Sequence, residues 1–261
     1  MYRAHGFTLI ELVVVITVMG ILSLGTVRFI TDAADGYAGT VRRTELGSTA
    51  RLAAERISRE LRNALPNSAR VSGSCLEFIP VEGGSTYLNV PVSIASTTFD
   101  VVPPISVAPT NGARIAVFPD TTGTVYTLSD PGVISPPANF AAPDVNNVVR
   151  VTLTAAHRFP FESPERRFFL LREPLSYCVD QNRLWRYQGY AFQSVQPTAG
   201  SLPTGMPGRS LIGEDVVSST TPFSLTSATL TRNAEVGIDL DFQDGADSVR
   251  IHHLVQLRNV P

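Results

Sequence analysis

The sequence predicts an α+β chain in which one long N-terminal helix packs on one or two antiparallel β-sheets. Three observations predict it. Residues 12–27, between Glu11 and Arg28, carry no charge, and a helical repeat of apolar residues returns further on and runs towards Leu65. All nineteen prolines lie at or beyond Pro66, and a proline disfavours helix at the residue before it. From there, short alternating or apolar runs are separated by Gly, Pro, Asn and Asp, the pattern of antiparallel strands and turns.

The first element is the apolar segment. Counted from Phe7 to Ile30 it has 24 residues, about 36 Å of helix against a hydrocarbon core of about 30 Å. Val13, Val14, Val15, Ile16 and Val18 are poor helix formers in water. In lipid every backbone group must be bonded internally, and helix is the state that achieves this. Gly20 and Gly25 permit close helix approach. A cleaved secretory signal is the alternative, with Ser23-Leu24-Gly25 before the cut and Thr26 after it. Two features favour an anchor: Glu11 stands at the start of the apolar run, and the run leads into an amphipathic helix.

Glu11 carries the reading further. A carboxylate in a membrane helix costs about 2.5–3.5 kcal/mol and normally has a partner. No basic residue shares its turn, and Arg28 is seventeen residues on, about 25 Å along the axis. Unless Glu11 snorkels to the headgroups, its partner is expected from another chain.

The second element is amphipathic. Asp32, Asp35, Gly36 and Gly39 predict a frayed or bent section over residues 31–39. Val41, Leu46, Ala50, Ala53, Ile57, Leu61 and Ala64 then form one face, expected to dock on a sheet. Glu55 and Arg59 have the spacing of a favourable i,i+4 pair.

The third element, residues 66–261, is the β-rich region. Strand-like runs begin at Leu76, Arg114, Val148, Arg167, Leu184, Val236 and Val249. Leu175–Asp180 and Arg183–Gln188 flank Gln181-Asn182 as one hairpin, and Ile238–Phe242 and Ser248–Leu254 flank Gln243–Asp247 as another. Residues 102–143 and 196–222, rich in Pro, Gly, Ser and Thr, predict long surface loops with strand-like pieces.

Within this region three sets of residues are candidates for chemistry. Cys75 and Cys178 are expected to pair in an oxidising compartment, with two buried thiols as the alternative. Asp239, Asp241, Asp244 and Asp247 have the oxygen ligands calcium needs, but Asp244-Gly245 also reads as a hairpin turn, the preferred reading. His252 and His253 lie on a strand and point to opposite faces, so they cannot chelate one ion together.

Composition excludes several function classes. The 261-residue chain has formal charge −2, too little for binding to nucleic acid driven by overall charge. It contains no lysine, which excludes Schiff-base chemistry and a Walker phosphate loop. Two cysteines are too few for a cysteine-based zinc finger. His5, His157, His252 and His253 lack metalloprotease spacing, and neither a nucleophile-elbow motif nor a dinucleotide fingerprint occurs. The expectation is a non-enzymatic chain without cofactor.

Gly6-Phe7-Thr8-Leu9-Ile10-Glu11 followed by an apolar helix resembles the signal of type IV prepilins and type II secretion pseudopilins. The resemblance implies a leader, residues 1–6, removed by a prepilin peptidase between Gly6 and Phe7. It implies N-methylation of Phe7, a transmembrane and assembly helix over 7–30 and its amphipathic continuation over 31–65. It also implies a salt bridge between Glu11 and the Phe7 amine of a neighbouring subunit. An α-amine has pKa about 7.7–8.0 and is largely cationic at neutral pH, which supplies the partner Glu11 lacks. The pattern departs at Arg28, where major pilins often have proline, and this fits a minor subunit better.

Further runs narrow the resemblance. Ile57–Ala64 is similar to the larger minor pilins, including J-type pseudopilins. Ser74–Phe78, His157–Pro160 leading to Ser163-Pro164 and Arg167-Phe168, and Asn259-Val260-Pro261 look like minor pilins of the MSHA (mannose-sensitive haemagglutinin) biogenesis, MshO type. The implied partners are the peptidase, other minor and major pilins of the filament, the inner-membrane assembly platform and the lipid bilayer. The implied location is a single pass of the inner membrane with a periplasmic C-terminal domain, then the pilus. A tip adhesin is the competing function class.

Overall fold

The computed structural model describes residues 8–103, 112–217, 221–228 and 232–257. Helix α1 runs from Leu9 to Arg62, 54 residues or about 81 Å. The strands follow as β1 (Arg70–Ser72), β2 (Cys75–Phe78), β3 (Val81–Thr86), β4 (Ser96–Val101) and β5 (Arg114–Ala116). After the short helix α2 (Thr122–Tyr126) come β6 (Ala138–Phe140), β7 (Val149–His157), β8 (Arg167–Leu171), β9 (Leu175–Asp180) and β10 (Arg183–Tyr187). The last four are β11 (Arg209–Gly213), β12 (Phe223–Thr226), β13 (Glu235–Asp244) and β14 (Asp247–Gln256).

The α+β class holds, and every strand pairing is antiparallel. Among the described residues the strands form four sheets, ordered β1-β2-β9-β10-β11, β12-β13-β14, β3-β8-β5 and β4-β7-β6, where the sequence led us to expect one or two. They divide because the chain builds two lobes. The first two sheets share a core with α1 that includes Ile57, Leu61, Phe78, Tyr177, Ile238 and Phe242. The other two enclose a separate core around Phe99, Val151, Phe159, Phe168 and Leu170.

The second lobe is an insertion. β2 and β9 are adjacent, with Cys75 opposite Cys178 and Phe78 opposite Leu175. The chain leaves the first lobe after Phe78, builds β3 to β8, and returns at Leu175 beside its point of departure. A smaller cluster with Leu65, Ile79, Val125, Tyr126 and Leu171 cements the two lobes.

Helix α1 packs on β14, β13 and β11. Leu46, Ala50, Ala53, Ala54, Ile57, Ser58 and Leu61 are its buried residues, nearly the predicted stripe. Val41 stays exposed because the docked face begins only at Leu46. Over residues 31–39 the helix is continuous, not frayed. Once a helix is nucleated on both sides, each added residue gains a hydrogen bond, and this outweighs a glycine's penalty of about 1 kcal/mol. The helix stops at Arg62, three residues short of Leu65, because the next residues bond to the start of the second lobe: Leu65 N–H donates to Ile79 O, and Asn63 O accepts from Val81 N–H.

Both predicted hairpins are present. Gln181 and Asn182 turn β9 into β10 with φ of 50° and 57°, the left-handed conformation that tight hairpin turns demand. The β13–β14 turn is tighter than expected: Asp244 pairs with Asp247 around Gly245-Ala246, and Gly245 has φ 58°. The two stretches read as surface loops are in part interior. Ile115, Val117, Val125, Tyr126, Ile134 and Ala138 are buried, and so are Leu202 and Val216. Prolines and glycines there interrupt strand ladders, but the apolar residues between them still fill the core.

Candidate functional site: the head of the helix and its docking clamps

The N-terminus of α1 is built by Thr8 and Glu11. Thr8 is the N-cap in extended conformation (φ −84°, ψ 150°). Its hydroxyl accepts from Glu11 N–H at 3.3 Å, and Glu11 Oε2 accepts from Thr8 N–H at 3.1 Å and Thr8 Oγ1 at 3.0 Å. This reciprocal capping box satisfies donors that the first helical turn leaves unpaired. The Ser/Thr-x-x-Glu signal was readable as Thr8-Leu9-Ile10-Glu11, and Thr8 is the residue the sequence reasoning missed. These bonds are to neutral groups; no ion pair reaches Glu11 among the described residues. The cleavage and methylation positions Gly6 and Phe7, the leader, and the Phe7 half of the expected salt bridge lie outside the described residues.

The segment that follows is prepared for an apolar medium. From Leu9 to Ile30 every side chain is exposed and none packs on either lobe. The helix is long and apolar enough to cross a membrane. Its hydroxyls turn back on its own carbonyls: Thr17 to Val13 and Val14, Ser23 to Met19, and Thr26 to Leu22. No polar side chain between Leu12 and Val27 then needs water. A Cβ added at Gly20 or Gly25 would meet nothing within 4 Å, so both remain open to a neighbouring helix.

Two charged clamps hold the other half of α1. At its middle, Asp247 on the β13–β14 turn accepts from Arg43 Nε at 2.6 Å and Arg42 Nε at 3.3 Å. The two guanidiniums, Arg43 first, hold the Asp247 carboxyl below the usual carboxylate range. At its end, Glu60 accepts from Tyr177 Oη at 2.9 Å and Arg186 Nε at 3.0 Å. Burial, then the Glu60 charge, pushes the Tyr177 phenol well up, so it stays a donor. Glu60 also pairs with Arg56, while no ion pair joins Glu55 and Arg59. Glu60 faces the sheet, where two further donors fix it.

The remaining candidates resolve separately. Cys75 and Cys178 form a disulfide across β2 and β9, with Cα atoms 4.1 Å apart. Tyr187, Tyr190 and Leu202 cover it. The aspartates do not converge: Asp239 accepts from Nε and Nη2 of Arg250 at 2.8 and 2.6 Å, and Asp247 belongs to the helix clamp. His157 is buried, its Nε2 2.9 Å from Gly132 O and its ring edge-on to Phe159. It is a packing residue, and burial pushes its pKa down. His252 and His253 occupy alternate faces of β14, as expected.

Residues 1–27 match the family model described as the prokaryotic N-terminal methylation motif. No curated protein and no solved structure matches the chain. A prepilin-type methylation motif at the head of a membrane-compatible helix, packed on antiparallel sheets, supports a place for this chain among the type IV pilins and pseudopilins that prepilin peptidase processes.

Proposed function

We propose that the chain is a minor type IV pilin of the MSHA biogenesis, MshO type, which helps to initiate or assemble a pilus filament and catalyses no reaction. The observation that carries this reading is the order Gly6-Phe7 followed by Glu11 at the head of an apolar helical half, Leu9 to Ile30, whose side chains are all exposed. The helix holds the subunit in the inner membrane by a single pass, with both lobes in the periplasm, until a growing filament draws it out. Glu11 then exchanges the neutral Thr8 bonds for the charged Phe7 amine of a neighbour. Each charge alone is costly to bury, and their pairing sets the register of assembly.

Arg28 in place of a proline supports a minor subunit, as does the inserted lobe, which enlarges the chain while α1 packs on β14, β13 and β11 of the first lobe. The run Ile57–Ala64 favours one second reading, a J-type minor pseudopilin of a type II secretion system. Deletion distinguishes the two, since the first predicts loss of pili and the second loss of secretion.

The test of processing is mass spectrometry of the mature N-terminus after membrane extraction. A chain beginning with methylated Phe7 is expected. A chain beginning at Thr26 would overturn the proposal, because it would remove Glu11 and leave a soluble secreted domain.

A further inference from the structure

The junction of the two lobes holds a cleft of about 1040 Å³, at the upper end of ligand-pocket volumes. It opens beside the C-terminal end of α1, between the β9–β10 ladder and one end of the β3-β8-β5 sheet. Six ionisable residues line it: Glu60, Glu82, Glu173, Arg114, Arg172 and Arg186. Two of its arginines are neutralised within it. Arg186 is paired with Glu60, and Arg172 with Glu82.

Arg114 is different. Its Nη1 donates to Ser135 O at 2.9 Å, and its guanidinium lies 5.6 Å from the centre of the Phe192 ring. No carboxylate lies within ion-pair distance of it among the described residues; Glu173 acts on it only from further away. Burial has stripped part of its water, which pushes its pKa down from the arginine value. The result is a fixed, partly desolvated cation, anchored on one nitrogen and with its other donors unclaimed among the described residues, at the wall of an open cleft. Such a group binds a carboxylate well, because it has lost hydration and side-chain freedom beforehand.

We infer that this cleft binds an acidic peptide segment of a partner protein, whose carboxylate Arg114 receives. Arg114, the arginine of the lining with no carboxylate at ion-pair distance among the described residues, selects the carboxylate. The rest of the lining favours peptide over sugar: Val81, Leu171, Leu175 and Pro207 offer aliphatic walls, and the one aromatic ring of the lining, Phe192, has the guanidinium beside it. The inference goes beyond the assembly role, since no cleft residue belongs to the membrane-spanning half of α1.

The test uses the full-length protein in neutral detergent and three probes: acetyl-(Glu-Ala)3-amide, acetyl-(Gln-Ala)3-amide and hexagalacturonate, titrated by calorimetry at low salt. The glutamate peptide is expected to bind, with affinity falling as salt rises. Arg114→Gln should weaken it about tenfold or more, the scale of one charge-assisted hydrogen bond. Glu173→Gln should tighten it, because a like charge is removed from the ligand's side; a merely structural role for Arg114 would not produce this gain. Unchanged Trp185 emission and melting temperature certify that the variants fold. The inference fails if the glutamate peptide does not bind at 5 mM (about 3 kcal/mol of affinity), if the glutamine peptide binds equally, or if only hexagalacturonate binds. None of these outcomes touches N-terminal processing, which is read separately.

Discussion

Asp247 and Arg43 meet at 2.6 Å although 204 residues separate them in sequence. The contact joins the tip of the β13–β14 hairpin to the middle of α1. It stands where α1 passes from its free half to its docked half: the first buried residue, Leu46, follows within one turn. The clamp therefore sets the point from which the apolar half projects.

Removing it should free that point. Asp247→Asn is expected to leave the core intact but raise amide exchange in residues 36–46, measured by hydrogen exchange on the detergent-solubilised protein. Arg42→Gln/Arg43→Gln should do the same. Because the arginines depress the Asp247 pKa, the clamp's contribution is present above the unfolded value near 3.8 and is lost as pH falls through the lower folded value. Wild type and Asp247→Asn should converge once the pH lies below that folded value. A constant difference down to that pH would show that the contact is not ionic.

His157 gives the opposite part of the pH range. It is buried and its folded pKa is pushed below the ordinary 6.5. Its contribution is full above pH 6.5 and is lost as pH falls from there to the folded value, because the unfolded chain binds the proton first. The melting temperature should drop between pH 7.5 and 5.5, and His157→Gln should flatten that drop. The Asp130 carboxylate, 3.8 Å from Nδ1, limits the shift, so Asp130→Asn should steepen the drop.

Glu77 should show the reverse sign. Its side chain is 0% exposed, bonded to Arg70 at 2.6 Å and Tyr190 at 3.1 Å, and burial raises its pKa despite Arg70. Wild type should gain stability relative to Glu77→Gln as pH falls from the raised folded value towards 4.5. Chemical denaturation at pH 7 and pH 5 measures the difference, and a gain for the variant at pH 5 would contradict it.

The disulfide can be followed by the single tryptophan. Trp185 lies opposite Cys178 in the β9–β10 ladder and packs on the disulfide cluster. Disulfides quench indole emission, so reduction should brighten it. It should proceed slowly, because Tyr187, Tyr190 and Leu202 cover the sulfurs. Alkylation without reductant should find no free thiol. Replacing both cysteines by alanine should destabilise the fold by about 2–5 kcal/mol.

Ile57 is fully buried where α1 meets its sheet. Ile57→Ala should cost about 2–5 kcal/mol by denaturant titration, whereas Leu52→Ala, on the exposed face, should change stability little.

What could be read in the sequence was what has a short period or a short spacing. The helix, its stripe and the strands containing Phe78, Ile115, Val151, Leu170, Trp185, Leu240 and Ile251 were legible because each side of an element meets one environment. So were the turns, because Gln181-Asn182 and Gly245 carry their own conformational signal. The lobe boundary was not legible. The Cys75–Cys178 bond was expected, but the strand pairing of β2 with β9, which closes off everything between them as a separate lobe, is a long-range contact that no local pattern encodes. The Glu60 and Asp247 clamps escaped for the same reason. The burial of Val125 and Tyr126 inside a proline-rich stretch was missed because composition there mimics a loop while single apolar residues fill the seam between lobes. At the head of the helix, the capping partnership of Thr8 with Glu11 was overlooked.

The side-by-side exit and return of the inserted lobe has a mechanical meaning. Tension applied to that lobe enters the first lobe through β2 and β9, which one covalent bond makes a single attachment point. Pulling on the outer lobe can extend its strands against each other, yet it cannot peel β2 from β9 at the cysteines. The outer lobe is thereby a compliant element on a stiff root, and the bonds from Val81 to Asn63 and from Leu65 to Ile79 tie that root to the end of the helix.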